Sequence, residues 1–286
     1  MSGTLYLCAT PIGNLEDITL RVLRTLKEVD VIAAEDTRQT KKLLNHYEIK
    51  TPLISYHEHN KFEKTPVLVR RILAGENIAL VTDAGTPAIS DPGEDLVRAC
   101  YEAGAAVTSL PGAAAVITAV TLSGMRARRF TYEGFLPSDK KERAAVLQRL
   151  VGTECTTVFY EAPHRLLKTL SLLIDAVGGE RPAAVCRELT KKHETALRAN
   201  LQEVFDYFSE HEPRGEFVIV LEGVDADVLL EEERARFREL PLEEHMERYL
   251  SEGMTKKEAM RQVANDRGIS RRDVYHALLV QEERIE

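Results

Sequence analysis

The chain has 286 residues, enough for about two domains at ~150 residues each, and 44% of them are apolar, enough to fill a core in each. Its formal charge of −8 excludes a global positive field that would draw it onto nucleic acid or anionic lipid, so any such partner has to be met by local basic patches. The four cysteines, Cys8, Cys100, Cys155 and Cys186, have no CxxC spacing and read as reduced thiols. No window approaches ~18 consecutive apolar residues and the opening MSGTLYLCATPIGN has no basic leader, so a soluble cytosolic protein is expected.

In chain order, a strand over Leu5 to Ala9 precedes an amphipathic helix with Ile18, Val22, Leu23, Leu26 and Val29 on one face, and Val31 to Ala34 completes a βαβ unit. Further strands are predicted at Leu53 to Tyr56, Ile78 to Val81 and Ala106 to Leu110. The helix between the last two is marked by Asp91 as N-cap, Pro92, Glu94 at capping-box spacing and Gly104 at its end. A mostly parallel sheet covered by helices follows for residues 1–122.

The pattern restarts near Arg126. Strands are predicted in RFTYEGFLP, TTVFY, AAVCREL and EFVIVLEGV, with helices near 139–151, 163–177 and 200–210, the last opened by Asn200 with Glu203 three residues on. This makes a second α/β domain over 123–224. Residues 225–240 read as a charged linker or solvated helix, and the tail to 286 as helical. Thr255 with Glu258 and Ser270 with Asp273 have capping-box spacing, and Ala264, Gly268, Ile269 and Val274 fit a helix-turn-helix. Lys256, Lys257, Arg261, Arg267, Arg271 and Arg272 make this tail locally basic, which suits either a nucleic-acid contact or a plain helical cap.

The chemistry concentrates in loops at strand ends. VTDAGTPAISDPG (81–93) has the turn residues of a phosphate loop but no Lys or Arg, and it carries Asp83 and Asp91 instead. Two like charges ~4 Å apart repel by about 4 kcal/mol at an effective dielectric of 20. The loop therefore suits a neutral or cationic ligand such as S-adenosylmethionine, with Asp91 reserved for capping a turn. LPGAAAVITAV (110–120) offers small residues to a flat ligand on the same carboxyl edge, where open α/β sheets bind ligands. AAEDTRQTKK and SYHEHNK bring Glu35, Asp36, Arg38, His57, Glu58 and His59 to that edge. His57 and His59 lack the third ligand that a metal site requires.

Together, ATPIGNLEDITLR, AAEDTR, LISYHEHN, VTDAGTPAISDPG, LPGAAAVITA, GFLP, FYEAPHRL and RELTKKHE resemble the ribosomal RNA small subunit methyltransferase I family of the tetrapyrrole methylase superfamily. The resemblance runs from about residue 4 to the C-terminus. It implies two α/β domains of tetrapyrrole methylase type with the cofactor in the interdomain cleft, a small C-terminal helical extension, and usually a homodimer. It also implies S-adenosylmethionine-dependent methylation of the ribose 2′-hydroxyl of a cytidine in the decoding region of 16S ribosomal RNA.

By position, Gly85, Thr86, Pro87 and Ile89 match the superfamily's GDPxxF-like cofactor loop, Pro111, Gly112, Ala114 and Ala115 its second cofactor loop, and Tyr160 the matching strand of the second domain. Thr86 stands where tetrapyrrole-modifying relatives generally have Asp, which argues against a corrin or porphyrin substrate. For proton removal from a ribose hydroxyl, Asp36 or His57 is expected as base, with Glu35 and His59 as alternates and Arg38 as a ribose or phosphate anchor. Asn14 either bonds the substrate ribose or closes a turn.

RNA contacts are expected from Arg126, Arg128 and Arg129, from Lys140, Lys141 and Arg143, from Arg187, Lys191 and Lys192, and from His164 and Arg165 beside Tyr160. Two other readings compete: methylation of a small molecule or protein side chain, and a non-catalytic sensor of S-adenosylmethionine that binds nucleic acid. The sensor would leave the acidic and histidine cluster idle.

Overall fold

A computed structural model describes residues 2–282. The first half alternates strands and helices: β1 (Thr4–Cys8), α1 (Leu20–Glu28), β2 (Val31–Ala34), α2 (Thr37–His46), β3 (Leu53–Ser55), α3 (Lys61–Leu73), β4 (Ile78–Val81), α4 (Gly93–Glu102), β5 (Ala106–Leu110) and α5 (Ala115–Ser123). Its five strands form a parallel sheet in the order β3-β2-β4-β1-β5. Every residue of β2 and β4 is buried, as expected for central strands covered on both faces, which is why they read as unbroken apolar runs.

The second half runs β6 (Phe130–Phe135), α6 (Lys140–Leu150), β7 (Thr156–Glu161), α7 (Leu166–Val177), β8 (Pro182–Arg187), β9 (Thr195–Asn200), α8 (Leu201–Glu210) and β10 (Phe217–Leu221). Its sheet has the order β6-β7-β10-β8-β9, parallel only between β6 and β7. The two halves form one compact unit, which excludes only Val151–Cys155 of this span. Leu166, Leu170 and Leu173 of α7 pack with Phe159, Ile219 and Phe217 in the core of the second half, all essentially buried. The expected capping box of α8 is present: Asn200 Oδ1 accepts from Glu203 N–H at 2.8 Å, and Glu203 accepts from Asn200 N–H at 3.2 Å.

Val151–Cys155 and the chain from Gly223 onward form a second unit. It holds α9 (Ala226–Glu239), α10 (Leu242–Ser251), α11 (Lys256–Arg267) and α12 (Arg271–Glu282). Thr255 and Glu258 cap one another reciprocally, as do Ser270 and Asp273. Gly268 between them is left-handed at φ 63°, and Val263, Ala264 and Val274 are buried with Leu242 and Met246. Helices α11 and α12 thus meet across a short turn through Gly268. Arg267, however, is no surface cation. It is buried, and its guanidinium donates to His245 Nδ1 (3.1 Å) and to the carbonyls of Leu240 and Pro241.

Some local expectations change. Residues 37–46 and 61–73 are helical, β9 is an additional strand, and α5 starts within the second small-residue loop. The Asp91-to-Glu94 capping box does not form: Asp91 Oδ1 accepts from Gly93 N–H at 2.8 Å, while Glu94 faces Arg98. Among the described residues, no helix is long and apolar enough to cross a membrane.

The two kinds of stabilising feature differ in size. Phe159→Ala is expected to destabilise the compact unit by ~3–5 kcal/mol through a cavity in its core, and Asn200→Ala by about 1 kcal/mol through loss of a cap. Urea unfolding of the two variants checks this ranking.

Candidate active site

The carboxyl edge of the first sheet is organised by a reciprocal backbone pair. Thr10 N–H donates to Gly85 O at 2.9 Å, and Gly85 N–H donates to Thr10 O at 3.0 Å, joining the loop after β1 to the loop after β4. Gly85 takes φ 85°, a left-handed conformation that side chains resist, and a Cβ there would lie 3.2 Å from Ile12 Cγ2. Thr10 also donates its hydroxyl to Thr82 O at 3.2 Å.

Beyond Gly85, Thr86 donates its hydroxyl to Ala113 O at 3.0 Å, tying the first small-residue loop to the second. An ionised Asp at this position could not donate that bond. Ala88 and Ser90 are left-handed at φ 67° and 64° although neither is glycine. Asp91 holds this shape, accepting from the N–H groups of Ala88, Ile89 and Gly93. Its role as a turn brace, expected from the sequence, is what the loop requires. Gly112 lets the second loop pass against β1, since a Cβ would stand 2.6 Å from Ala9 Cβ.

The two halves enclose a cavity of about 380 Å³. From the first half it is lined by Ile12, Ala84, Gly85, Thr86 and Ile89 and by Ala114, Ala115 and Val116. From the second come Phe135, Tyr160, Glu161, Ala162, Pro163, Leu189, Glu216, Phe217 and Val218. The lining has no Lys, Arg or His, and its two carboxylates, Glu161 and Glu216, are paired with Arg165 and Lys191, so it suits a largely apolar ligand and disfavours phosphate. Tyr160 is fixed from both halves. Its hydroxyl accepts from Val116 N–H at 3.1 Å, its ring meets Tyr132 edge-on at 5.0 Å, and burial pushes its pKa up to about 12. Tyr132 in turn shares a hydrogen bond of 2.7 Å with Ser90, linking the second sheet to the left-handed loop.

A second cavity of about 600 Å³ adjoins the first, with Ile12, Ala84 and Glu216 lining both. Thr10, Thr82 and Asp83 contribute from the ends of β1 and β4, and Gln39, Lys42 and His46 from α2. Asp83 Oδ1 accepts from Asp36 N–H at 3.0 Å. Burial, together with the nearby charges of Glu35 and Asp36, raises the pKa of Asp83, partly offset by that N–H and by Arg38.

Of the residues expected to hold a cofactor, Gly85, Thr86, Ile89, Ala114, Ala115 and Tyr160 line the first cavity, and Asp83 lines the second. Pro87, Pro111 and Gly112 line neither and shape the loops behind them. The expected acid–base cluster is not gathered at a cavity: Glu35, Asp36, His57 and His59 line neither one. Each has a local reason. Asp36 caps α2 through Arg38 N–H, and both its oxygens accept from the Arg38 side chain, whose hydrogen bonds lower the Asp36 pKa to about 2. The same pair occupies Arg38, the expected substrate anchor. Glu35 accepts from the Thr82 hydroxyl at 2.7 Å, and His57 is held by Asn60 through its N–H and at Nε2. His59 is exposed.

Asn14 closes a turn, accepting from Glu16 N–H, and its own N–H donates to Thr190 Oγ1 at 3.0 Å. His164 is exposed, whereas Arg165 donates to Leu136 O at 2.5 Å and pairs with the buried Glu161, bracing the loop after β7. Among the described residues, no group of three His, Cys, Asp or Glu side chains could hold a metal ion. The residues missed in the sequence are chiefly apolar ones: Phe135, Ala162, Pro163 and Leu189 sit in GFLP, FYEAPHRL and RELTKKHE, while Val218 carries no mark beyond strand hydrophobicity.

A family model for Tetrapyrrole (Corrin/Porphyrin) Methylases matches residues 4–204. Ribosomal RNA small subunit methyltransferase I of Halalkalibacterium halodurans is 49% identical over 274 residues, covering 96% of this chain and 94% of the relative. Its counterpart in Bacillus subtilis is 49% identical over 275 residues, with the same coverage. In fold, the chain is similar to uroporphyrin-III C-methyltransferase from Thermus thermophilus complexed with S-adenosylhomocysteine, at TM-score 0.55 and 20% identity, covering 77% of this chain and 97% of that one. It is also similar to a cobalt precorrin-4 methyltransferase, at TM-score 0.58 and 20% identity, covering 77% and 94%. The chain belongs to the ribosomal RNA small subunit methyltransferase I family of the tetrapyrrole methylases, whose methyl donor is S-adenosylmethionine.

Proposed function

We propose that this protein transfers a methyl group from S-adenosylmethionine to the ribose 2′-oxygen of a cytidine in the decoding region of 16S ribosomal RNA, acting in the cytoplasm as a homodimer. The observation that carries the reading is identity of nearly one half along 96% of the chain, the helical tail included, to relatives named for small-subunit ribosomal RNA methylation. The 380 Å³ cavity supports the choice of donor. Gly85, Ala114 and Ala115 leave room for a flat adenosine, and no Lys, Arg or His lines the cavity, whose two carboxylates, Glu161 and Glu216, are already paired with Arg165 and Lys191. Thr86, engaged with Ala113, supports a substrate other than a corrin or porphyrin.

An acidic protein has to hold RNA through local charge. Lys140, Lys141 and Lys192 are exposed in the compact unit, and Lys257, Arg261, Arg271 and Arg272 in the helical unit. Arg267 is spent on its own unit's core and takes no part.

Gly85→Asp introduces a side chain where φ is 85° and a third carboxylate beside Glu161 and Glu216. Calorimetry with S-adenosylmethionine is expected to show no binding, and undiminished affinity removes the cavity assignment. For the product, small subunits lacking the modification are treated with the enzyme, and their RNA is digested to nucleosides for mass spectrometry. The expected species is a cytidine whose added methyl stays with the ribose fragment and whose 3′ linkage resists alkali. A methyl travelling with the base overturns the chemistry. The double variant Lys257→Glu, Arg261→Glu is expected to weaken binding to small subunits and flatten its salt dependence, the slope falling by about 1 for each phosphate that is no longer neutralised. An unchanged slope assigns the tail a purely structural role.

A further inference from the structure

The 600 Å³ cavity is a different chemical environment from its neighbour. Where the first is largely apolar, the second is lined by Lys42 and His46 of α2, by Lys191 of the loop after β8 and by Asp83. Lys191 is already paired, donating to Glu188 and Glu216 at 2.9 Å each. Lys42 meets only the neutral Gln39 Oε1 at 3.1 Å, and among the described residues no carboxylate pairs with it. The cavity thus holds an uncommitted cation and a carboxylate, and it opens beside the first across Ile12 and Ala84.

We propose that the second cavity takes the target nucleotide, with Lys42 and His46 meeting a backbone phosphate and Asp83 accepting the proton of the ribose 2′-hydroxyl. This rests on the ribose methylation reading above. Asp83 is suited where Asp36 is not. Both oxygens of Asp36 are bonded to Arg38, which holds its pKa at about 2. Asp83 gives only Oδ1 to a protein donor, the Asp36 N–H, and no donor among the described residues reaches Oδ2. Burial and the carboxylates of Glu35 and Asp36 also raise its proton affinity, which a base requires.

The step balances. The ribose oxygen forms its bond to the methyl carbon, the carbon–sulfur bond leaves its electron pair on sulfur, and the O–H proton passes to Asp83 Oδ2 and then to water. The neutral sulfide and the 2′-O-methyl ribose are the products. The groups that set the titration of Asp83 are Glu35, Asp36 and Arg38 from the end of β2 and the start of α2, while Lys42, His46, Lys191 and Glu216 are the other titratable groups that line the same cavity.

Asp83→Asn and Lys42→Glu test this in the full chain, with unmodified small subunits as substrate. Asp83→Asn keeps an oxygen for the Asp36 N–H, so calorimetry with S-adenosylmethionine is expected to match the wild type and to report an intact fold. Its single-turnover rate is expected to fall by ~10²-fold or more. The wild-type rate should rise about tenfold per pH unit on the acid side and then level off, and this acid limb should vanish in Asp83→Asn. Lys42→Glu lies on another element and should raise the dissociation constant for small subunits in filter binding while leaving cofactor affinity unchanged. A wild-type rate or an unaltered acid limb in Asp83→Asn overturns the role of Asp83, and unchanged subunit affinity in Lys42→Glu overturns the placement of the nucleotide. If the wild type itself leaves no methyl on ribose, the functional reading falls first, and the two failures remain distinct.

Discussion

The reciprocal pair of hydrogen bonds between Thr10 and Gly85 is the constraint on which the site depends. It joins the ends of two adjacent parallel strands, β1 and β4, where their chains turn away, and Ile12 and Ala84, which lie close to it in sequence, line both cavities. The pair needs φ 85° at position 85, which explains the glycine, and it positions Thr86 to reach Ala113. Thr10 adds its side chain to Thr82 O, and Thr82 donates onward to Glu35. Backbone geometry at one bridge thereby fixes the ends of β1, β2 and β4 together.

Much of this was legible in the sequence, for identifiable reasons. Central parallel strands are buried on both faces, so VIAA and IALV stand out as uninterrupted apolar runs. Asn200 with Glu203 announced α8. What stayed hidden lacked an apolar signal or carried a misleading one. Strand β9, TALRAN, is largely exposed at a sheet edge and is defined by its pairing with β8. Helix α3 contains Pro66, a residue that ordinarily reads as a break.

The acid–base cluster shows the limit of reading a site from residue types. Glu35, Asp36, His57 and His59 do reach the sheet edge, yet proximity in sequence does not reveal which groups are already satisfied. Asp36 is consumed by a neighbour two residues away, in a bidentate pair with Arg38, while Asp83, 47 residues on, lines a cavity and gives only Oδ1 to a described protein donor. Capping chemistry and substrate chemistry draw on the same residue types. Only the hydrogen bonds each carboxylate already makes separate the two.

The left-handed turn at Ala88 and Ser90 has a further consequence. Two non-glycine residues in this region cost about 1–3 kcal/mol each. Three N–H bonds to a single carboxylate, Asp91, oppose that strain, and a Cβ at Gly93 would collide with Asp91 Oδ1, Leu80 and Ala88 N, so the turn packs too closely to relax. The conformational entropy of this segment is therefore surrendered when the chain folds, before any ligand arrives. A ligand entering the adjoining cavity meets a finished mould on that side, and its intrinsic affinity is not drawn down by ordering the loop. The same rigidity makes the wall a poor adapter: it discriminates by shape, and ligands that do not fit are refused rather than accommodated.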